Sequence, residues 1–304
     1  MRETDAIERL FMDARGRFHW PWRLVTFACF TLAAWLLGST LVYPVLSTLW
    51  RALFGGPMVA YAWLLLFALG VAHAMMPRTA DHALTLRALG LGREALAPRS
   101  LLGALGGGVA AIGVPSALLL AVGWLSLEPN EVGGWARAAL GALTMLVPAA
   151  LSEELTFRGY PFVVLRERFG AVAAVAVTSV AFALLHLANP GAGVRTLSLV
   201  ALAGVWLGVV RVVTGSLWAS FAAHLAWNAV MAIGLHMPVS GMPFATPGYR
   251  IVDTGPAWAT GGAWGPEGGL VAALGMLVVT AILLSRPDGR ASFARPVGRK
   301  ELHQ

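Results

Sequence analysis

The sequence predicts an all-α, polytopic transmembrane helical bundle of about eight spans, and three observations carry that expectation. The 304 residues are 58% hydrophobic with a mean hydropathy of +0.71, whereas a soluble domain is roughly 45–50% apolar. The apolar residues come in runs close to the about 20 needed to cross ~30 Å of hydrocarbon. Of the 22 Lys and Arg, 18 fall on the two tails and alternate connections, and only Arg51, Arg137, Arg195 and Arg250 on the others. That asymmetry is the positive-inside bias, and it puts both the N- and C-termini in the cytoplasm.

The runs lie at about 24–49, 57–76, 101–126, 138–160, 171–189, 196–213, 217–235 and 269–285. The last four are short, so they must tilt or pack within the bundle. Residues 1–23 lack the basic start, apolar core and small-residue ending of a cleavable signal. Phe18, Trp20 and Trp22 instead mark an interfacial segment, because Trp favours the headgroup level. The bundle then occupies 24–285, followed by a basic cytoplasmic tail over 286–304 that reads as disordered.

Two polar insertions interrupt the bundle. Residues 77–100 carry Leu84, Leu86, Leu89, Leu91 and Leu96 between arginines, which reads as a short amphipathic helix on the cytoplasmic face. Residues 236–269, rich in Gly, Pro and Trp, read as an external loop over the bundle mouth. A plain connector is preferred there to a lid. Cys29 is the single cysteine, which excludes an intrachain disulfide and a multi-cysteine metal site. The +7 net charge does not point to nucleic acid, because the basic residues follow topology and form no patch.

Ionisable groups in hydrocarbon cost about 2.5–3.5 kcal/mol each on insertion scales, so the few that interrupt the spans stand out. They form three clusters, each with an i, i+4 pair on one helix face. In EELTFR, Glu154 and Arg158 have the favourable acid-before-base order, while Glu153 points about 100° away. Taken alone, these charges could mark the cytoplasmic end of the fourth span. FALLH places Phe182 and His186 together; a lone His at a span end is more often a hydrogen-bonded core residue. HLAWN places His224 and Asn228 on one apolar helix, where interhelical hydrogen bonding is the competing explanation. Together they supply the parts for amide hydrolysis: a carboxylate and His to activate water, and His and carboxamide donors for an oxyanion. Neither G-x-S-x-G nor H-E-x-x-H occurs. His73, His82, His236 and Met75–Met76 have no partner at such spacing and are read as packing or loop residues.

E-E-x-x-x-R, then F-x-x-x-H, then H-x-x-x-N, in that order and with the Phe-Arg-Gly continuation of the first, resembles the CPBP (Abi, or CAAX prenyl endopeptidase) family of intramembrane proteases. The resemblance covers about residues 138–235. It implies a bundle of about eight helices around a site open to the cytoplasmic side, with Glu153 and His186 activating water, His224 and Asn228 holding the oxyanion, and Glu154 and Arg158 supporting them. Eukaryotic members remove the last three residues of prenylated CAAX proteins; bacterial members are linked to bacteriocin self-immunity, protein maturation or secretion control. High Arg and Ala content with a single Lys points to a GC-rich bacterial source. The expected location is therefore the inner (plasma) membrane, and the expected partners are the lipid bilayer and a membrane-associated protein or peptide substrate. No cofactor is favoured. Zinc is the alternative, held by Glu153, His186 and His224 with an open water position, although Asn228 is a poor zinc ligand and a good hydrogen-bond donor. The non-catalytic alternatives are an immunity scaffold or a proton-coupled transporter. Glu153 and His186 share a depth only if the fourth helix continues past Arg158, to about Leu165 with Pro161 inside it, or if the fifth span tilts.

Overall fold

In hydrocarbon the backbone satisfies its N–H and C=O groups within each segment, so long apolar runs become helices. The computed structural model describes residues 10–13, 17–54, 61–130 and 133–294. Helix α1 (Trp20–Leu37) passes through a π-turn at Gly38–Val42 into α2 (Tyr43–Phe54). After these come α3 (Tyr61–Thr79), α4 (Pro98–Ala121), α5 (Trp135–Arg158), α6 (Tyr160–Leu185) and α7 (Val194–Thr214). The last are α8 (Leu217–Ala229), α9 (Leu270–Ser285) and α10 (Pro287–Ala294). The α1–α2 span faces lipid, exposing Leu32, Leu36, Leu37 and Leu41.

Each expected run contains a helix, but the count of spans differs. Among the described residues six helical segments are long and apolar enough to cross a membrane, or seven when α9 and α10, bent by 85°, are taken together. The shortfall from eight arises because α5 and α6 join into one 54-residue segment, Trp135–Ala188. At ~1.5 Å per residue that length far exceeds one crossing, and two glycines divide it. Gly159 breaks the helix with φ −84° and ψ −133°. Gly170, at φ 87° and ψ 170°, occupies a region open to glycine alone. The chain turns back there: Arg158 and Phe182, each twelve residues from Gly170, meet with the guanidinium carbon 4.8 Å from the ring centre.

This reversal answers the question of depth. Glu153 and His186 lie almost equally far along the chain on either side of Gly170, so equal rise brings them level. The helical continuation expected after Arg158 is present, but as a new helix after Gly159. Pro161 sits in its first turn, where a missing N–H leaves no hydrogen bond unmade.

Glycines also set the closest helix contacts. A Cβ on Gly108 of α4 would meet the Ala223 carbonyl of α8 at 2.3 Å. A Cβ on Gly204 of α7 would lie 2.8 Å from the Ser179 Cα of α6. At the other end of α5 and α6, Arg23 is buried and paired with Asp81 and, at 2.6 Å, with Glu167. Its Nε donates to the Tyr160 hydroxyl (3.2 Å), which donates to Asp81 (3.0 Å). The Tyr160 N–H donates to His73 Nε2 at 3.1 Å.

Of three details that depart from expectation, the first and third are corrections, and the second adds a ribbon to an all-α bundle that stands. Residues 77–100 do not form an amphipathic helix: 77–79 end α3, 98–100 begin α4, and 80–97 between them form turns and a short 3₁₀ segment, Arg93–Leu96. Leu84 and Leu89 are buried while Leu86 and Leu96 are exposed, an apolar pattern that does not follow one helix face. Second, the all-α bundle carries a small antiparallel ribbon, β1 (Leu125–Asn130) with β2 (Gly248–Asp253), in register Leu125↔Asp253. Third, the beginning of the tail is ordered: α10 packs back on the bundle, with Ser292 buried and its carbonyl accepting from Arg166 at 3.4 Å. The rest of the tail lies outside the described residues.

Candidate active site

The site starts from the i, i+4 pair on α5. Glu154 and Arg158 are fully buried, and Arg158 Nη1 donates to Glu154 Oε1 at 3.1 Å. A buried ion pair needs further partners to offset lost hydration, and two are present. Arg158 Nη2 donates to the Gly204 carbonyl at 3.0 Å, which the glycine contact between α6 and α7 brings within reach. The Phe182 ring supplies a cation–π face.

Glu154 Oε1 also faces His224 Nδ1 at 2.9 Å. A carboxylate accepts, so Nδ1 carries the proton and Nε2 becomes the ring atom open to the site. That Nε2 lies 3.7 Å from Glu153 Oε2. His186 follows the same logic. Its Nδ1 donates to the Phe182 carbonyl, four residues back, at 2.8 Å, leaving Nε2 as acceptor. Phe182 packs against both imidazoles, with ring centres 4.8 Å from His186 and 6.0 Å from His224.

Glu153, His186, His224 and Asn228, carried by α5, the end of α6 and α8, line one cavity of about 130 Å³. Most of the remaining wall is apolar, with Leu146, Leu199, Trp206 and Met276 among it, and Asn189, Ser240 and Glu267 are the other polar lining residues. Glu154 and Arg158 stand behind it and do not line it. The expected Glu153–His186 pair shares the cavity without a direct hydrogen bond among the described residues; the nearest imidazole to Glu153 is that of His224. Glu153 keeps a quarter of its side chain exposed, so a water molecule can reach it. His73, His82 and His236 do not line this cavity.

The 236–269 segment is more than a connector. Val239, Ser240, Met242, Phe244 and Glu267 form part of the cavity wall. Glu267 accepts from Trp227 Nε1 at 2.9 Å and from Ser240 Oγ at 2.8 Å. Asn189, three residues beyond His186, donates to the Ser240 carbonyl at 3.0 Å. The one signal in the sequence was a lone carboxylate in AWGPEGG, immediately before the last span.

Glu153, His186 and His224 are the residues that would hold zinc if it were bound. Among the described residues no three His, Cys, Asp or Glu side chains group so as to hold a metal ion, while the Glu154 contact at Nδ1 leaves His224 Nε2 free, as it also is in imidazoles that ligate metals.

Fold and site together define a multi-pass helical membrane protein with a largely apolar cavity into which three helical segments bring polar side chains. Residues 135–230, which carry all six candidate residues, match the family model for Rce1-like type II CAAX prenyl endopeptidases, within the CPBP family. At family level the match supports a membrane-embedded peptidase, a hydrolase acting on a protein or peptide substrate. No curated protein and no solved structure matches the chain.

Proposed function

We propose that this protein hydrolyses a peptide bond within the membrane by a metal-free mechanism in which Glu153 activates water. The supporting observation is the convergence of Glu153, His186, His224 and Asn228 on one cavity. Glu153 takes a proton from a water that also donates to His186 Nε2, and the hydroxyl oxygen bonds to the scissile carbonyl carbon. With His224 as an imidazolium held between Glu154 at Nδ1 and Glu153 near Nε2, the resulting oxyanion accepts hydrogen bonds from the Asn228 carboxamide and from His224 Nε2–H, a contribution often worth ~10²–10³ in rate per donor. The C–N bond then breaks as Glu153 returns the proton to the leaving nitrogen. Glu154 and Arg158 act as positioning residues, fixing the His224 ring through Nδ1.

The substrate is a membrane-associated protein or peptide, and the setting a bacterial inner membrane. The test compares protein termini in membrane fractions from cells carrying the wild type or Glu153→Gln. A new terminus present only with the wild type is the expected result; identical sets of termini would refute the reading. Elemental analysis of active protein addresses the metal: stoichiometric zinc, lost together with activity on chelation, would replace the metal-free mechanism.

A further inference from the structure

We infer that Glu267 is a positioning residue that clamps the turn at 239–242 against the catalytic cavity and so sets the wall facing the substrate. Three donors meet its carboxylate. Oε2 accepts from Trp227 Nε1 at 2.9 Å. Oε1 accepts from the Ser240 N–H at 2.5 Å and from Ser240 Oγ at 2.8 Å. With Asn189 donating to the Ser240 carbonyl at 3.0 Å, every polar atom of Ser240 is held.

The backbone of the turn explains why such a hold is needed. Ser240 has φ 50°, a left-handed conformation that non-glycine residues adopt only when their surroundings impose it. Val239 and Met242 close the turn through paired backbone hydrogen bonds of 3.0 and 2.9 Å. Their side chains, with Phe244, face the cavity. The clamp's other ends are Trp227, adjacent to Asn228 on α8, and Asn189, three residues after His186. The carboxylate thus ties the turn to α8, and Asn189 ties the same turn to the segment that carries His186.

This inference rests on the hydrolase reading and adds to it a determinant of substrate fit. A cavity of about 130 Å³ is below the roughly 300–1,000 Å³ of sites that enclose whole small ligands. It admits one side chain beside the scissile bond, and the placement of Val239, Met242 and Phe244 decides which. Glu267 itself is not disposed as a base, because both oxygens are already engaged by neutral donors.

The acceptor count gives a specific test. A carboxylate accepts on both oxygens, whereas the carboxamide of Gln accepts on one and turns an NH₂ group toward the Trp227 N–H. Full-length protein in detergent micelles is followed in two ways. Hydrogen exchange reports on 239–242, and kinetics are measured on the best-cleaved member of a set of intramolecularly quenched apolar peptides. Glu267→Gln should speed exchange in the turn and raise KM about tenfold, with kcat within about twofold. Combining it with Trp227→Phe removes the opposing donor and should recover most of the loss, although Trp227→Phe alone is also impaired. Ser240→Ala, a milder change that preserves folding, should raise KM about threefold.

Unchanged exchange in Glu267→Gln overturns the clamp. So does a double variant no better than Glu267→Gln, which would mean that the negative charge itself is required, or a loss confined to kcat. If wild-type protein cleaves none of the peptides while exchange responds as expected, the hydrolase reading fails and the clamp stands.

Discussion

Two buried charge clusters flank the Gly159 break, one on each side, and they have similar ingredients. Before the break, Arg158 pairs with Glu154, and His224 completes the group. After it, Arg23 pairs with Asp81 and Glu167, and Tyr160 completes the group. Both tie together helices distant in sequence, and both would read as intramembrane charge requiring a functional explanation. The difference lies in what is left over. In the second cluster the guanidinium is distributed over two carboxylates and a hydroxyl, and its role is to pin α1 and the turn at Asp81, just after α3, to α6. In the first, the ion pair is itself a support, and beyond it stand Glu153, partly exposed, and an imidazole with one ring atom open to a cavity. Buried charge alone therefore does not mark a site; uncommitted polar atoms facing a cavity do.

The largest expected effect separates the clusters outright. Glu153→Gln should lower the cleavage rate by about 10³-fold, in the range of general-base contributions, with no change in melting temperature. A comparable fall in stability would make Glu153 structural and erase the contrast. Asn228→Ala should reduce kcat by about 10²-fold with little change in KM, as loss of an oxyanion donor does. A KM effect alone would reassign Asn228 to substrate binding. Arg23→Met should behave in the opposite sense. Leaving Asp81 buried and Glu167 half-buried without a cation should cost about 3 kcal/mol in denaturant unfolding, with kcat/KM per folded molecule within about twofold of wild type. The smallest effect belongs to the exposed cross-strand pair of the ribbon, Arg250 and Glu128 at 2.8 Å. Glu128→Gln should change stability by less than about 0.5 kcal/mol, which gives a baseline for charge in water.

Much of the site was legible because charge in an apolar run is conspicuous. Glu153, Glu154, Arg158, His186, His224 and Asn228 could be picked out by residue type and i, i+4 spacing, and four of them line the cavity. The 3.6-residue period also separated Glu153, facing the cavity, from Glu154, facing inward to Arg158. Other features gave weaker signals. LSLEPN and GYRIVD are short strands that pair only with each other across more than a hundred residues, so neither shows its partner locally. The leucines of 77–100 suggested a helix, but Leu84 and Leu89 are buried by contact with the bundle and their neighbours are not. Glu267 stands out little in the sequence because nothing adjacent to it is polar; its partners, Trp227 and Ser240, arrive from elsewhere in the chain.

The sequence by itself determined the environment and the inventory. The length and composition of its apolar runs required membrane helices, and the cost of placing charge in hydrocarbon singled out the residues that needed a reason to be there. Those are properties of short stretches, readable without a partner. Tertiary structure alone decided which imidazole nitrogen stayed open, that the reversal at Gly170 brings Glu153 and His186 level, and that the 236–269 segment walls the cavity. Such outcomes depend on distances between side chains far apart in the chain, which helix packing sets and local propensity does not encode.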